Sequence, residues 1–148
     1  MMQMTKNTTY WICQFAGWTA YCLNDLVIHS GRFGYSNGLL INAAITIVLG
    51  ISVTHIYRHI IKKYGWLDLS WSQLVPKIVS CVLLMAIIMV KFFILLDFYT
   101  VPDIQQHITP SSIIFFIINW GKLLLLWSGI YLLFQYFERS RKFANNQF

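Results

Sequence analysis

The chain has 148 residues, of which 57% are hydrophobic, 17% aromatic and only 11% charged. A water-soluble domain of this size carries about 25% charged residues, so the composition excludes a wholly water-facing surface. The net charge of +6 does not point to nucleic acid, because the basic residues form no single stripe or arm and cluster just outside the apolar runs.

The first predicted span covers 10–29 and is the least apolar. Lys6 precedes it, but Gln14, Tyr21, Asn24 and Asp25 interrupt the run and no small-x-small site follows. It therefore reads as part of the mature protein rather than a signal peptide. Gln14, Trp18, Tyr21 and Asp25 are spaced by four, three and four, which puts them on one helix face. Lipid penalises such a face, so it is expected to turn toward other helices and to hydrogen-bond there rather than to line a ligand pocket.

The second span covers 38–61, rich in Ile, Leu, Val and Ala, and Arg58, Lys62 and Lys63 stop it. His55 and His59 have the i, i+4 spacing of a shared metal site. Ile56 stands where H-E-x-x-H needs its Glu, and further ligands are lacking, so the pair reads as interfacial rather than metal-binding. Between the second and third spans, 64–71 mixes aromatic, apolar and polar residues. Trp66 and Trp71 suit the headgroup level, and the stretch predicts a short amphipathic segment on the cytoplasmic face.

The third span covers 76–98, with Pro76 suited to a first helical turn. The fourth covers 111–137, and Thr109-Pro110-Ser111-Ser112 ahead of it is a helix start. Four spans of about 20 residues leave little beyond short connections. The expected fold is an all-α integral-membrane four-helix bundle, a single transmembrane domain over 1–148.

Orientation follows from the basic residues. One side collects Lys6, Arg58, Lys62, Lys63, Lys77, Arg139, Arg141 and Lys142, while the other has Arg32 and the connection 101–107 has none. This bias places both termini and the second connection in the cytoplasm.

Lys91 and Lys122 fall inside spans, where a lysine needs a partner or a cavity. At 1.5 Å per residue Asp25 lies about 22 Å up the first span and Lys91 about 21 Å up the third, so the two are expected to pair. Lys122 lies about 16 Å down the fourth span, with Asn119 one turn above it, and reaches upward to Asp97 or Asp25 or stays neutral. Gln14, Tyr21, Asn24, Asp25, Lys91, Asp97, Asn119 and Lys122 form the candidate polar cluster, structural or sensing. Cys13, Cys22 and Cys81 read as small buried apolar residues, with no disulfide or metal spacing. Small residues Gly50, Ser52, Gly121 and Gly129 are candidate packing positions. No catalytic triad, glycine loop or carboxylate pair is present, and no cofactor is expected.

Three stretches together resemble a known family. Tyr10-Trp11-Ile12-Cys13-Gln14-Phe15-Ala16-Gly17-Trp18 with Tyr21 is similar to a Y-W-x-x-Q-x-x-G-W-x-x-Y opening. Thr54-His55-Ile56-Tyr57-Arg58, with Ile61-Lys62-Lys63 and Trp66-Leu67-Asp68-Leu69, resembles the family's T-H-x-Y-R…I-K-K…W-L-x-L. Trp127-Ser128-Gly129-Ile130-Tyr131 with Tyr136-Phe137-Glu138 resembles its fourth span leaving the membrane. The family is the membrane input region of LytS-like bacterial sensor histidine kinases, and the resemblance covers nearly the whole chain.

The resemblance implies a bacterial cytoplasmic membrane, signal input in a two-component system, and a homodimer or pairing with a full-length kinase. It also implies a fourth span that runs on as a cytoplasmic helix. The family's phospho-accepting histidine box and ATP-binding domain have no counterpart in these residues, so no enzymatic activity is expected of them. Partners are the lipid bilayer and another sensor chain, and the small-molecule ligand stays open. Two other readings stand beside this one. A four-span transporter or channel subunit is disfavoured for cation export, since Asp25 and Asp97 sit near the outer edge and the central charges are lysines. An accessory subunit of another membrane protein is the third.

Overall fold

A computed structural model describes residues 6–100 and 108–147, so the third connection, 101–107, lies outside the described residues. Every regular element among them is helical: α1 (Lys6–Phe33), α2 (Asn37–Lys63), a 3-10 turn (Trp66–Asp68), α3 (Trp71–Thr100) and α4 (Pro110–Asn146). Three stretches are long and apolar enough to cross a membrane: Asn37–Lys63, Trp71–Tyr99 and Pro110–Asn146. The chain is thus an all-α membrane protein. The polar residues of α1 keep it out of that set.

Backbone geometry explains where the helices stop. Gly34, at φ 80°, ends α1 in the left-handed region, and its N–H donates to the Ser30 carbonyl at 3.0 Å. Gly65, at φ 61°, does the same between α2 and the 3-10 turn. Thr109 caps α4: its side chain accepts from the Ser112 N–H at 3.2 Å, the Ser112 hydroxyl accepts from the Thr109 N–H at 2.9 Å, and Pro110 follows. This is the helix start expected from the sequence.

Two boundaries depart from expectation. Helix α3 begins at Trp71, with the Ser70 carbonyl accepting from the Gln73 and Leu74 N–H groups. Pro76 therefore sits past the first turn, where it removes one helical hydrogen bond. The amphipathic segment shrinks to the three-residue turn, and Trp66 is only 8% exposed. It is turned inward, and it borders a shallow depression with Pro76, Lys77, Ser80, Cys81 and Leu84. Helix α4 runs nine residues past the predicted span end at Phe137, to Asn146. At 37 residues it is about 55 Å long, well beyond a hydrocarbon core of about 30 Å.

The chain divides into two compact units, Met1–Arg58 and His59–Phe148. In the second, α3 packs against α4. The buried residues of α3 (Leu74, Ile78, Val82, Met85, Ala86, Met89 and Val90) recur every three or four positions, as do Trp120, Leu124, Ser128 and Tyr131 of α4. Phe93 stacks on Trp120 with ring centroids 5.0 Å apart. The Ser128 hydroxyl is satisfied within its own helix, donating to the Leu124 carbonyl at 2.6 Å. At the far end of α4, Arg139 Nη1 donates to Asp68 Oδ1 at 2.8 Å and to the Leu67 carbonyl at 3.2 Å.

Of the expected packing glycines, only Gly50 is in close contact. Gly121 and Gly129 have open space where a side chain would sit, and Ser52 is exposed with its hydroxyl on the Val48 carbonyl. The cysteines also part company: Cys22 is buried, Cys81 half-buried and Cys13 exposed, because Cys13 lies beside rather than on the inward stripe of α1.

Candidate functional site

In the unit Met1–Arg58, α1 presents Tyr10, Gln14 and Trp18 at intervals of four, and α2 presents Gly50, Thr54 and Arg58 at the same interval. Residues four apart lie almost above one another on a helix. The helices meet antiparallel, so the two rows pair one to one as a ladder.

The middle rung is a buried hydrogen bond. Thr54 Oγ1 donates to Gln14 Oε1 at 2.9 Å, with Gln14 3% and Thr54 0% exposed. The same hydroxyl lies 2.8 Å from the Gly50 carbonyl, the back-bond ordinary for a helical threonine. One turn along, the indole of Trp18 lies on Gly50. A β-carbon there would collide with the Trp18 ring, so only glycine lets the ring approach. The third rung sets the Arg58 guanidinium 3.8 Å from the Tyr10 ring centroid, in cation–π geometry.

Aromatic rings frame the Arg58 end. Trp11 stacks on His55 with centroids 5.3 Å apart and planes at 19°, and Tyr10 meets Trp11 edge-on at 5.5 Å. Arg58 Nε is enclosed and has no hydrogen-bond partner among the described residues. At the opposite end Tyr21, half-buried, meets Trp18 edge-on at 6.2 Å.

The structure gathers only part of the candidate cluster. Gln14 and Tyr21 face inward, while Asn24 and Asp25 are exposed. Asp25 shares the angular position of Gln14, so its exposure is no error of helical phase. It sits eleven residues further along, about three turns from the Gln14–Thr54 bond.

Lys91, Asn119 and Lys122 are also exposed, and Asp97 is half-buried. The position of the two lysines relative to one another follows from a ring pair. Lys91 lies two residues before Phe93 and Lys122 two residues after Trp120, and these rings are stacked. The antiparallel lysines therefore stand level, each about 3 Å along its helix from the ring pair. Each is also turned about 200° from its ring, onto the side of its helix facing away from the α3–α4 contact. Contact between those two helices follows their apolar faces, and this carries both lysines outward.

Of the expected interfacial residues, Lys62, Lys63 and Trp71 are exposed, Arg58 is half-buried on Tyr10, and Trp66 is buried. Sequence reasoning missed Tyr10, Thr54 and Gly50 as site residues. Their signal was the matched four-residue spacing, read in opposite directions along the two helices.

No protein-family model, curated protein or solved structure matches this chain. What the fold and site define is a class: a helical membrane protein with a polar–aromatic ladder fixing the register of its first two helices.

Proposed function

We propose that this chain is the membrane-embedded input module of a sensor, of the kind found ahead of the catalytic region in LytS-like bacterial sensor histidine kinases. It crosses the cytoplasmic membrane four times as a helical bundle with both ends in the cytoplasm, acts as a homodimer or beside a full-length kinase, and performs no catalysis itself. The observation that carries this reading is the ladder. Residues that make the two most specific resemblances, Tyr10 and Gln14 on one side and Arg58 and Thr54 on the other, contact each other directly. Two motifs far apart in sequence thus act as one unit.

Helix α1 counts as a span in this reading because Gln14 and Tyr10, in its first half, meet Thr54 and Arg58 of α2 instead of lipid. Helix α4, extending to Asn146, is the element that carries a change of twist or spacing out of the membrane. The positive-inside bias gives the orientation.

The test is a chimera that joins α4 in frame to the dimerisation and catalytic region of a histidine kinase. Autophosphorylation is measured in isolated membranes. Inserting one residue after Lys142, which rotates the output by about 100°, should change activity at least about threefold. Inserting seven, close to two whole turns, should restore most of it. Gln14→Leu should shift the basal level as well. Activity indifferent to both the insertions and Gln14→Leu would remove the sensor reading.

A further inference from the structure

Arg58 is a half-buried cation whose Nε is enclosed and has no hydrogen-bond partner among the described residues. No carboxylate of its own unit can neutralise it. The only acidic residue in Met1–Arg58 is Asp25, fifteen residues from Tyr10 along α1, or about 22 Å. The ring of Tyr10 accepts the guanidinium face, and Nε is enclosed, so an acceptor from outside the helix pair meets the terminal Nη edge. A guanidinium edge matches two oxygens of a carboxylate or phosphate.

Depth says which of these acceptors is at hand. Arg58 stands 21 residues beyond Asn37, the first residue of α2, or about 31 Å, one hydrocarbon thickness. That is the level of lipid phosphates, and Tyr10 and Trp11 beside it are the residue types of an aromatic belt. The next turn of α2 adds Lys63, which is exposed, and this favours a lipid of net negative charge over a zwitterion carrying its own cation.

We infer that Arg58, held by Tyr10 at the end of α2, binds the headgroup phosphate of an anionic glycerophospholipid. The terminal Nη groups donate in plane to the phosphate oxygens while Tyr10 covers one face of the guanidinium. Trp11, stacked on His55, walls the site on the α1 side. The ladder thereby ends on a lipid, so the register of α1 against α2 responds to the headgroups around it. This rests on α1 and α2 spanning the bilayer, as proposed above, but not on the sensor role.

The experiment uses the chain in nanodiscs of phosphatidylcholine with a minor share of phosphatidylglycerol, followed by detergent extraction and native mass spectrometry of the lipid retained. The wild-type chain should keep phosphatidylglycerol in preference to phosphatidylcholine. Arg58→Gln should lower that retention about tenfold, the scale of one charge-assisted hydrogen-bond pair. Arg58→Lys, which keeps charge and fold, should lose part of it, because an ammonium lacks the paired donors. Lys63→Gln should change it less than twofold, as expected for a diffuse surface charge.

Equal retention by Arg58→Gln and wild type would overturn the site, as would an equal loss in Lys63→Gln. Displacement of the lipid by inorganic phosphate at the same concentration would overturn the lipid in favour of a free anion. A Lys63→Cys variant probed with a membrane-impermeant maleimide in sealed vesicles reads the placement separately. Labelling from one face alone keeps the span and leaves the lipid result to decide. Equal labelling from both faces, or from neither, would sink the placement and the site together.

Discussion

Helix α1 reaches α2 through a buried hydrogen bond, a cation over a ring and an indole laid on a glycine. Helix α3 reaches α4 along rows of aliphatic side chains, with one stacked ring pair. In lipid the hydrophobic effect gives neither pair much net attraction, so association depends on close packing and on polar contacts that lipid cannot supply. The apolar contact gains from every well-packed atom but tolerates sliding. The ladder gains little energy per rung, yet each rung fits only one partner. What makes α1 the weakest membrane-span signal, its inward polar residues, is also what fixes its register on α2.

The largest expected effect tests the apolar pair. Leu124 is fully buried, and Leu124→Ala should cost about 2–4 kcal/mol through lost contacts and a residual cavity. Unfolding in micelles titrated with sodium dodecyl sulfate measures the total, and hydrogen exchange resolved by helix locates it. Loosening confined to α3 and α4 would keep the two pairs distinct. Equal loosening of α1 and α2 would make them one cooperative block.

Gly50→Ala tests the ladder sterically. Its new methyl meets the Trp18 ring, and overpacking of this kind costs about 1–3 kcal/mol. Exchange should rise in α1 and the first part of α2, and Trp18→Leu in the same chain should recover part of the loss. Without that recovery, the glycine is required for some reason other than the indole.

The smallest effect is the most specific. A double-mutant cycle of Gln14→Leu and Thr54→Val should give a coupling of about 0.6–1.7 kcal/mol, the range measured for hydrogen bonds between membrane helices. Either change alone leaves one polar group inside the helix pair, and the double change leaves none. Strictly additive losses would mean that the Gln14–Thr54 bond adds nothing beyond its two ends.

Much of the fold was legible from residues alone. The apolar lengths of α2, α3 and α4, the Thr109 cap and the inward turn of Gln14 all follow from local rules of period, length and hydrogen bonding. The rest shares one cause. The exposure of Asp25, Lys91 and Lys122 and the burial of Trp66 depend on which neighbour covers a position, and neither depth nor residue type says that.

The sequence by itself determined that this is a helical membrane protein and which residues of α1 share a face, because helix period and hydrocarbon thickness act on each segment separately. Only the tertiary structure decided that Tyr10 meets Arg58, Gln14 meets Thr54 and Trp18 meets Gly50, and that the lysines of α3 and α4 stand level and outward. The register between two antiparallel helices is a property of the pair. It is set where one hydrogen bond and one missing side chain admit a single alignment, and no segment read alone contains it.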